Sequence, residues 1–209
     1  MSRSFLTRLL SAIVLIFLTI IFLYSNKIIF NFFIILFFLL SSYEASKLIK
    51  KNLLLIVSIL FLFFSFYTAY SLMNEYGPNL FLFVLSISVS SDIGGYIFGK
   101  ILKGPRLISI SPKKTVAGAF GSFITSLVIS SILYNILEIS TNDQKFHLEI
   151  FFLILFLSFV SQTGDIIVSF FKRESNLKDT GKLIPGHGGI LDRIDGIIFV
   201  FPVYYILMF

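Results

Sequence analysis

The sequence predicts an all-α, polytopic integral membrane protein of about seven transmembrane helices, with its N-terminus in the cytosol. Three observations carry that expectation. Hydrophobic residues make up 56% of the 209 residues and charged ones only 13%, where ordinary globular domains carry about 25% charge; mean hydropathy is +0.95. Apolar runs recur at close to the ~20 residues that a helix needs to cross ~30 Å of hydrocarbon. Lysine and arginine gather on alternate turns between those runs. Length alone would allow one or two soluble domains, but a water-soluble chain of this size could not cover so much apolar surface. Cysteine is absent, which excludes a disulfide scaffold, a thiol nucleophile and iron–sulfur or Cys-based zinc sites.

The runs at 9–26, 28–43, 53–73 and 115–137 contain no charge. Two more, 76–99 and 150–171, reach spanning length only by including one acid each, Asp92 and Asp165. The last, 196–209, has 14 residues and spans only if its helix begins near Ile190 and takes Asp192, Arg193 and Asp195 into the membrane edge. With seven crossings, 15 of the 17 basic residues fall on one side and only Lys27 and Lys145 on the other, which makes the basic side cytosolic. Tyr24, Tyr67, Tyr70, Tyr76, Tyr134, Tyr204 and Tyr205 fall near the opposite interface, as an aromatic belt should. The first 25 residues read as an uncleaved helix, since no small-x-small cleavage site follows them. Residues 1–75 thus supply three N-terminal helices. Residues 76–209 supply the region that carries the chemistry, with cytosolic loops 100–114 and 172–193.

The placement of acids is the informative feature. Asp92 lies eight residues before Lys100 and Asp165 seven before Lys172, so each sits roughly 10–12 Å inside the cytosolic end of its helix. Asp192 and Asp195 begin the seventh helix at the same level, and their i, i+3 spacing puts them on one face. A charge deep in a bilayer costs at least ~2.5–3.5 kcal/mol, so three or four bare acids would cost about as much as a domain's whole net stability. They must face a polar cavity and meet cations there. Structural ion pairs with nearby lysine and arginine are one solution; metal ions are the other. Carboxylates without Cys or clustered His favour hard ions, Mg²⁺ above all, which keeps waters and substrate phosphates in its shell.

Phosphate-binding parts surround these acids. Ser111-Pro112-Lys113-Lys114-Thr115 leads straight into a helix, so that amides, a hydroxyl and lysine charge converge. Gln162, Asp165, Ser169 and Lys172 form one polar stripe on an otherwise apolar helix, ending in Lys172-Arg173. Beyond it, Lys178-Asp179-Thr180-Gly181-Lys182 and Pro185-Gly186-His187-Gly188-Gly189 combine cations with flexible glycines, a composition able to wrap polyphosphate with backbone amides. His187 taken alone reads as a plain loop residue.

The stretch from Ser169 to Asp195 closely resembles the signature of phosphatidate cytidylyltransferases, the CDP-diacylglycerol synthases. Gln162-x-Gly164-Asp165, Asp92-x-x-Gly95-Tyr96-x-x-Gly99-Lys100 and Ser111-Pro112-x-Lys114-Thr115-x-x-Gly118 resemble that family in the same order. The resemblance covers roughly residues 90–196. It implies the reaction CTP + phosphatidate → CDP-diacylglycerol + pyrophosphate, dependent on Mg²⁺, in the inner membrane of a bacterium with the site facing the cytosol. On that resemblance Asp165 and Asp192 are the principal metal ligands, with Asp195 and Asp92 as further ligands or supports. Lys172, Arg173, Lys178 and Arg193 clamp phosphates, and Lys114 with Thr115 binds one phosphate. Ser111, Gln162, Ser169, Asp179, His187, Gly188 and Gly189 complete the expected substrate-binding set. The expected partners are CTP, phosphatidate and the bilayer, together with a second copy in a homodimer; nucleic acid is not among them. A monovalent cation such as K⁺ beside Mg²⁺ is compatible with the same site.

Two rivals share some of these features. A CTP-dependent polyprenol or phytol kinase would use a similar cation-rich site but release CDP, and the full Lys-Arg…His-Gly-Gly…Asp-Arg-x-Asp run argues against it. An ion-coupled transporter would place acids near the midplane and show repeated, broken helices, whereas these acids lie on one side beside a phosphate-type loop.

Overall fold

A computed structural model describes residues 14, 17–108, 111, 114–139, 148–181, 183–184 and 188–208. Residues 17–24 are helical; the remainder of the expected first span lies outside the described residues. Thereafter the chain forms α1 (Lys27–Leu48), α2 (Asn52–Ser71) with a π-helical turn at Leu72–Tyr76, α3 (Pro78–Leu102), α4 (Val116–Ile136), α5 (Leu148–Glu174), a four-residue α6 (Leu191–Ile194) and α7 (Ile197–Met208). Among the described residues no strand forms, only isolated bridges in loops. Among the described residues five helices, counting α2 with its π turn, are long and apolar enough to cross a membrane.

Local signals explain the boundaries. Asn26 caps α1 by accepting from the Ile29 amide at 3.1 Å, and Thr115 caps α4 by accepting from the Gly118 amide at 3.1 Å. Between α2 and α3 the chain reverses at Gly77, whose φ of 84° suits glycine, and Pro78 then starts α3 where its missing N–H costs nothing. The second expected span is longer than its charge-free run, because α1 continues through Glu44 to Leu48.

The expected seventh span differs more. It is divided into α6 and the 12-residue α7, and α7 covers only about 18 Å at 1.5 Å per residue. The break falls at Asp195-Gly196, where the Asp195 carboxylate accepts from the Gly196 amide at 3.1 Å and the helical ladder restarts from the Gly196 carbonyl. Gly196 is pressed against the hydroxyls of Ser161 and Ser88, leaving no room for a side chain.

Two apolar clusters hold the bundle. One joins Phe30, Leu72, Phe83, Ile87, Leu157 and Val200 toward the end remote from the basic loops. The other joins Ala45, Leu48, Leu62, Val168, Leu191 and Ile198 near the basic end. On α3, α4 and α5 the contacts are hydroxyl-rich instead: Ser88 and Ser161 lie 2.7 Å apart, Ser158 donates to Ser91 at 3.1 Å, and Ser122 donates to the Ser91 carbonyl at 2.7 Å. Lipid offers no hydrophobic drive between helices, so small residues and hydroxyl bonds carry this association. α3 and α4 make the most extensive contact, and Gly94 of α3 lies directly against the Gly121 backbone and the Thr125 hydroxyl of α4.

A methyl group at Gly94 therefore has to force the two helices apart. Gly94→Ala should lower the thermal midpoint of the detergent-solubilised protein by several degrees, an overpacking cost of about 1–3 kcal/mol; a fluorescence-detected thermal melt checks it.

Candidate active site at the basic end of the bundle

Four chain segments converge where the basic loops meet the bundle. From α3 comes Asp92, one turn before Tyr96. The segment between α3 and α4 folds back on itself, with the Leu107 amide bonded to the Lys114 carbonyl at 2.8 Å and the Val116 amide to the Pro105 carbonyl at 3.1 Å. That turn delivers Lys114 and Thr115 to the start of α4. From α5 come Gln162, Asp165 and Lys172, set on one face by helical periodicity. The segment after α5 closes the site. It leaves α5 through a bond from the Leu177 amide to the Lys172 carbonyl (2.8 Å), tightens where Ile184 and Gly188 exchange amide–carbonyl bonds, and ends at α6.

These parts enclose a cavity of about 450 Å³. All four expected acids, Asp92, Asp165, Asp192 and Asp195, line it, and so do Lys114, Lys172 and Arg193. Ser111, Thr115, Gln162 and Asp179 complete its polar wall, while Tyr96, Leu107 and Ala119 give it an apolar side. The other expected residues fall elsewhere. Ser169 stands behind Asp165, donating to its carboxylate at 3.4 Å. Gly189 reaches the site through its amide, and Gly188 forms the turn before it with a φ of 91°. Arg173 and Lys178 are exposed and off the cavity wall; Arg173 donates to the Leu177 carbonyl at 3.4 Å. His187 lies outside the described residues.

The charges are arranged in two groups. Lys114 pairs with Asp165 at 2.5 Å and also donates to the Gln162 carbonyl at 3.4 Å. Asp92 and Asp195 line the same cavity wall as Asp165. In the second group Lys172 pairs with Asp192 Oδ1 at 2.8 Å. Asp192 Oδ2 is a hub: it accepts from the Thr180 amide at 2.7 Å and the Gly189 amide at 2.9 Å, with the Thr180 hydroxyl 3.0 Å away. Burial pushes the Asp192 carboxyl up, but the Lys172 ammonium and the Gly189 and Thr180 amides outweigh it and hold the group below the usual carboxylate range. Its grip on the loop is therefore complete at neutral pH and is lost only as pH falls through that lowered value.

Both sequence readings of the acids thus meet in one place. Asp165 and Asp192 are in ion pairs, whereas Asp92 and Asp195 add carboxylate beyond what those two lysines balance. Among the described residues no three acidic or histidine side chains are drawn close enough to cage an ion by themselves. Mg²⁺ does not require such a cage, because it commonly takes one or two carboxylates plus waters and substrate phosphates. The all-oxygen donor set around this cavity fits that chemistry.

One residue of the site has no counterpart in the sequence expectation. Glu44 of α1 is 2% exposed and accepts from the Thr180 hydroxyl at 2.8 Å, the Ile190 amide at 3.0 Å and the Leu191 amide at 2.8 Å. It is the one charged residue between Lys27 and Lys47, and that was the available signal.

Residues 52–209 match the model of the Cytidylyltransferase family, and the chain belongs to that family. Among individual relatives, it is similar to the phosphatidate cytidylyltransferase of Staphylococcus epidermidis, 35% identical over 157 residues that make up 73% of this chain and 57% of that protein. The phosphatidate cytidylyltransferase of Bacillus subtilis is 36% identical over 137 residues, 65% of this chain and 49% of that one. The enzyme of the same name from Staphylococcus aureus is 37% identical over 157 residues, 73% and 55% of the two chains. The chain spans about half the length of the curated relatives it matches.

Replacing Lys172 by Met leaves a nearly buried Asp192 carboxylate without its cation, a change that costs ~3–5 kcal/mol in buried pairs. The loop between α5 and α6 should loosen. Trypsin cleavage after Lys178 should quicken severalfold relative to the unsubstituted protein, read on a time course of limited digestion.

Proposed function

We propose that the protein transfers CMP from CTP to phosphatidate, giving CDP-diacylglycerol and pyrophosphate, at the cytosolic face of a bacterial inner membrane. The observation that carries this reading is the convergence of Asp92, Asp165, Asp192 and Asp195 with Lys114, Lys172 and Arg193 around one cavity. Membership of the cytidylyltransferase family and the names of its relatives point the same way.

The chemistry explains why such a cavity is needed. A phosphate oxygen of phosphatidate attacks the α-phosphorus of CTP; the bond from that phosphorus to the β-phosphate oxygen breaks, and pyrophosphate leaves with the electron pair. Both reactants are anions, so the barrier is lowered chiefly by holding them together and neutralising charge, with no covalent intermediate on the protein. Lys114 and Thr115 hold one phosphate at the start of α4. Lys172 and Arg193 neutralise the polyphosphate and the departing pyrophosphate. Asp165 and Asp192, supported by Asp92 and Asp195, would hold Mg²⁺, which supplies charge neutralisation on the phosphates when bound. The ammonium groups now paired with Asp165 and Asp192 turn to substrate phosphate, which frees those carboxylates. Depth in the bilayer serves the lipid: its acyl chains stay in hydrocarbon while its head reaches a nucleotide arriving from water.

Purified protein given phosphatidate, Mg²⁺ and CTP labelled at the α-phosphate should place label in a lipid product and release unlabelled pyrophosphate. Chelation should stop this and added Mg²⁺ restore it. Label that never enters lipid removes the nucleotidyl-transfer reading. Asp165→Asn and Asp192→Asn should each cut turnover by about 100-fold or more while the protein still inserts in membranes, since a neutral amide is a poor Mg²⁺ ligand. Activity near that of the parent protein in both variants removes the ion-holding role.

A further inference from the structure

Glu44 lies outside the stretch, 52–209, that matches the family, and on a helix that contributes nothing to the cavity wall. Helix packing alone gives no reason for a carboxylate there. The side chain is buried to 2% exposure, and among the described residues no basic group comes within ion-pair distance of it. Burying an uncompensated carboxylate is costly, and among the described residues the compensation comes from the segment between α5 and the start of α6. Oε2 accepts from the Thr180 hydroxyl and the Leu191 amide, and Oε1 from the Ile190 amide. Gly181 and Gly189 lie so close to the carboxylate that a β-carbon at either would collide with it. A further bond, from the Ser175 hydroxyl to the Leu48 carbonyl, ties the start of the same loop to the end of α1.

We infer that Glu44 is a positioning residue for the polyphosphate half of the site, acting through Thr180 and the backbone at Ile190-Leu191 on Asp192, Lys172 and Arg193. The connection is short. Thr180 Oγ1 stands 2.8 Å from Glu44 Oε2 and 3.0 Å from Asp192 Oδ2, and Asp192 Oδ1 stands 2.8 Å from Lys172 Nζ. One hydroxyl carries one proton, so Thr180 donates to a single carboxylate at a time and links the two in place. Asp192 and Arg193 follow Leu191 directly, so whatever fixes the Ile190 and Leu191 amides fixes the placement of both. A single carboxylate thereby closes a ring from residue 180 to residue 191 and sets it against α1. The inference deepens the nucleotidyl-transfer reading and rests on it.

The test uses Glu44→Gln, which retains size but replaces one accepting oxygen with an amino group, and Thr180→Val beside Thr180→Ser. Ser46→Ala, an exposed position two residues on and on the opposite face of α1, serves as control. Supporting groups of this kind change affinity or activity by about 10–100-fold when removed. Glu44→Gln and Thr180→Val should each raise the KM for CTP at least tenfold and leave the KM for phosphatidate within twofold; Thr180→Ser and Ser46→Ala should stay within twofold for both. A residue needed only for folding would lower the yield of active protein without moving the KM for CTP, so unchanged KM values in both Glu44→Gln and Thr180→Val overturn the inference. Should Glu44→Gln fail to accumulate, Thr180→Val decides. Hydrogen exchange in the peptide 188–194 gives a reading independent of turnover. It should quicken at least tenfold in Glu44→Gln, and unchanged exchange overturns the latch even if the parent protein proves to catalyse another reaction.

Discussion

Carboxylates inside an apolar bundle need positive charge, and most of this structure follows from meeting that need at one end. Asp92, Asp165 and Asp195 line one cavity, and among the described residues a single lysine, Lys114, reaches their group in an ion pair. Lys172 is held by Asp192, whose second oxygen is saturated by the loop. The site is thus rich in anions and sparing with cations, in surroundings where each imbalance is expensive. A cavity able to admit water, ions or phosphate is the structural answer. The same requirement reaches the loops: Lys114, before α4, pairs with Asp165, and the Thr180 and Gly189 amides, after α5, donate to Asp192.

Much of the site is legible in the sequence because helices make spacing predictable. Asp165 and Lys172 share a face of α5 through periodicity, and the common depth of Asp92, Asp165 and the Asp192–Asp195 pair follows from counting residues back to the basic ends. Thr115 announces its cap by standing just before an apolar run. What the sequence left hidden is tertiary. Glu44 and Ile190 are 146 residues apart, and no local pattern ties a lone acid at the end of one helix to the amides of a distant loop. Arg173 and Lys178 illustrate the converse: their charge made them attractive as phosphate clamps, but neither is on the cavity wall. The interruption at Asp195-Gly196 is hidden for a similar reason, since it depends on Gly196 meeting Ser161 and Ser88.

Aromatic rings pack at both ends of the bundle. In the cluster away from the site, Phe30 and Phe81 meet edge-on at 5.6 Å and Phe81 and Phe201 at 4.7 Å between centroids, among a majority of aliphatic residues. Near the site Phe38, Phe61, Phe66 and Phe199 pack around aliphatic residues such as Ala45, Val168 and Leu191, with the Phe61 and Phe199 rings 4.7 Å apart between centroids.

Thr125 shows what the hydroxyl-lined contacts of α3 and α4 permit. Its oxygen lies 2.9 Å from the Ser90 carbonyl across the contact and 2.8 Å from the Gly121 carbonyl of its own helix. One proton therefore has two nearly equivalent destinations, one of which survives if the partner helix slides. Such a seam tolerates small displacements without ever exposing a bare donor to lipid.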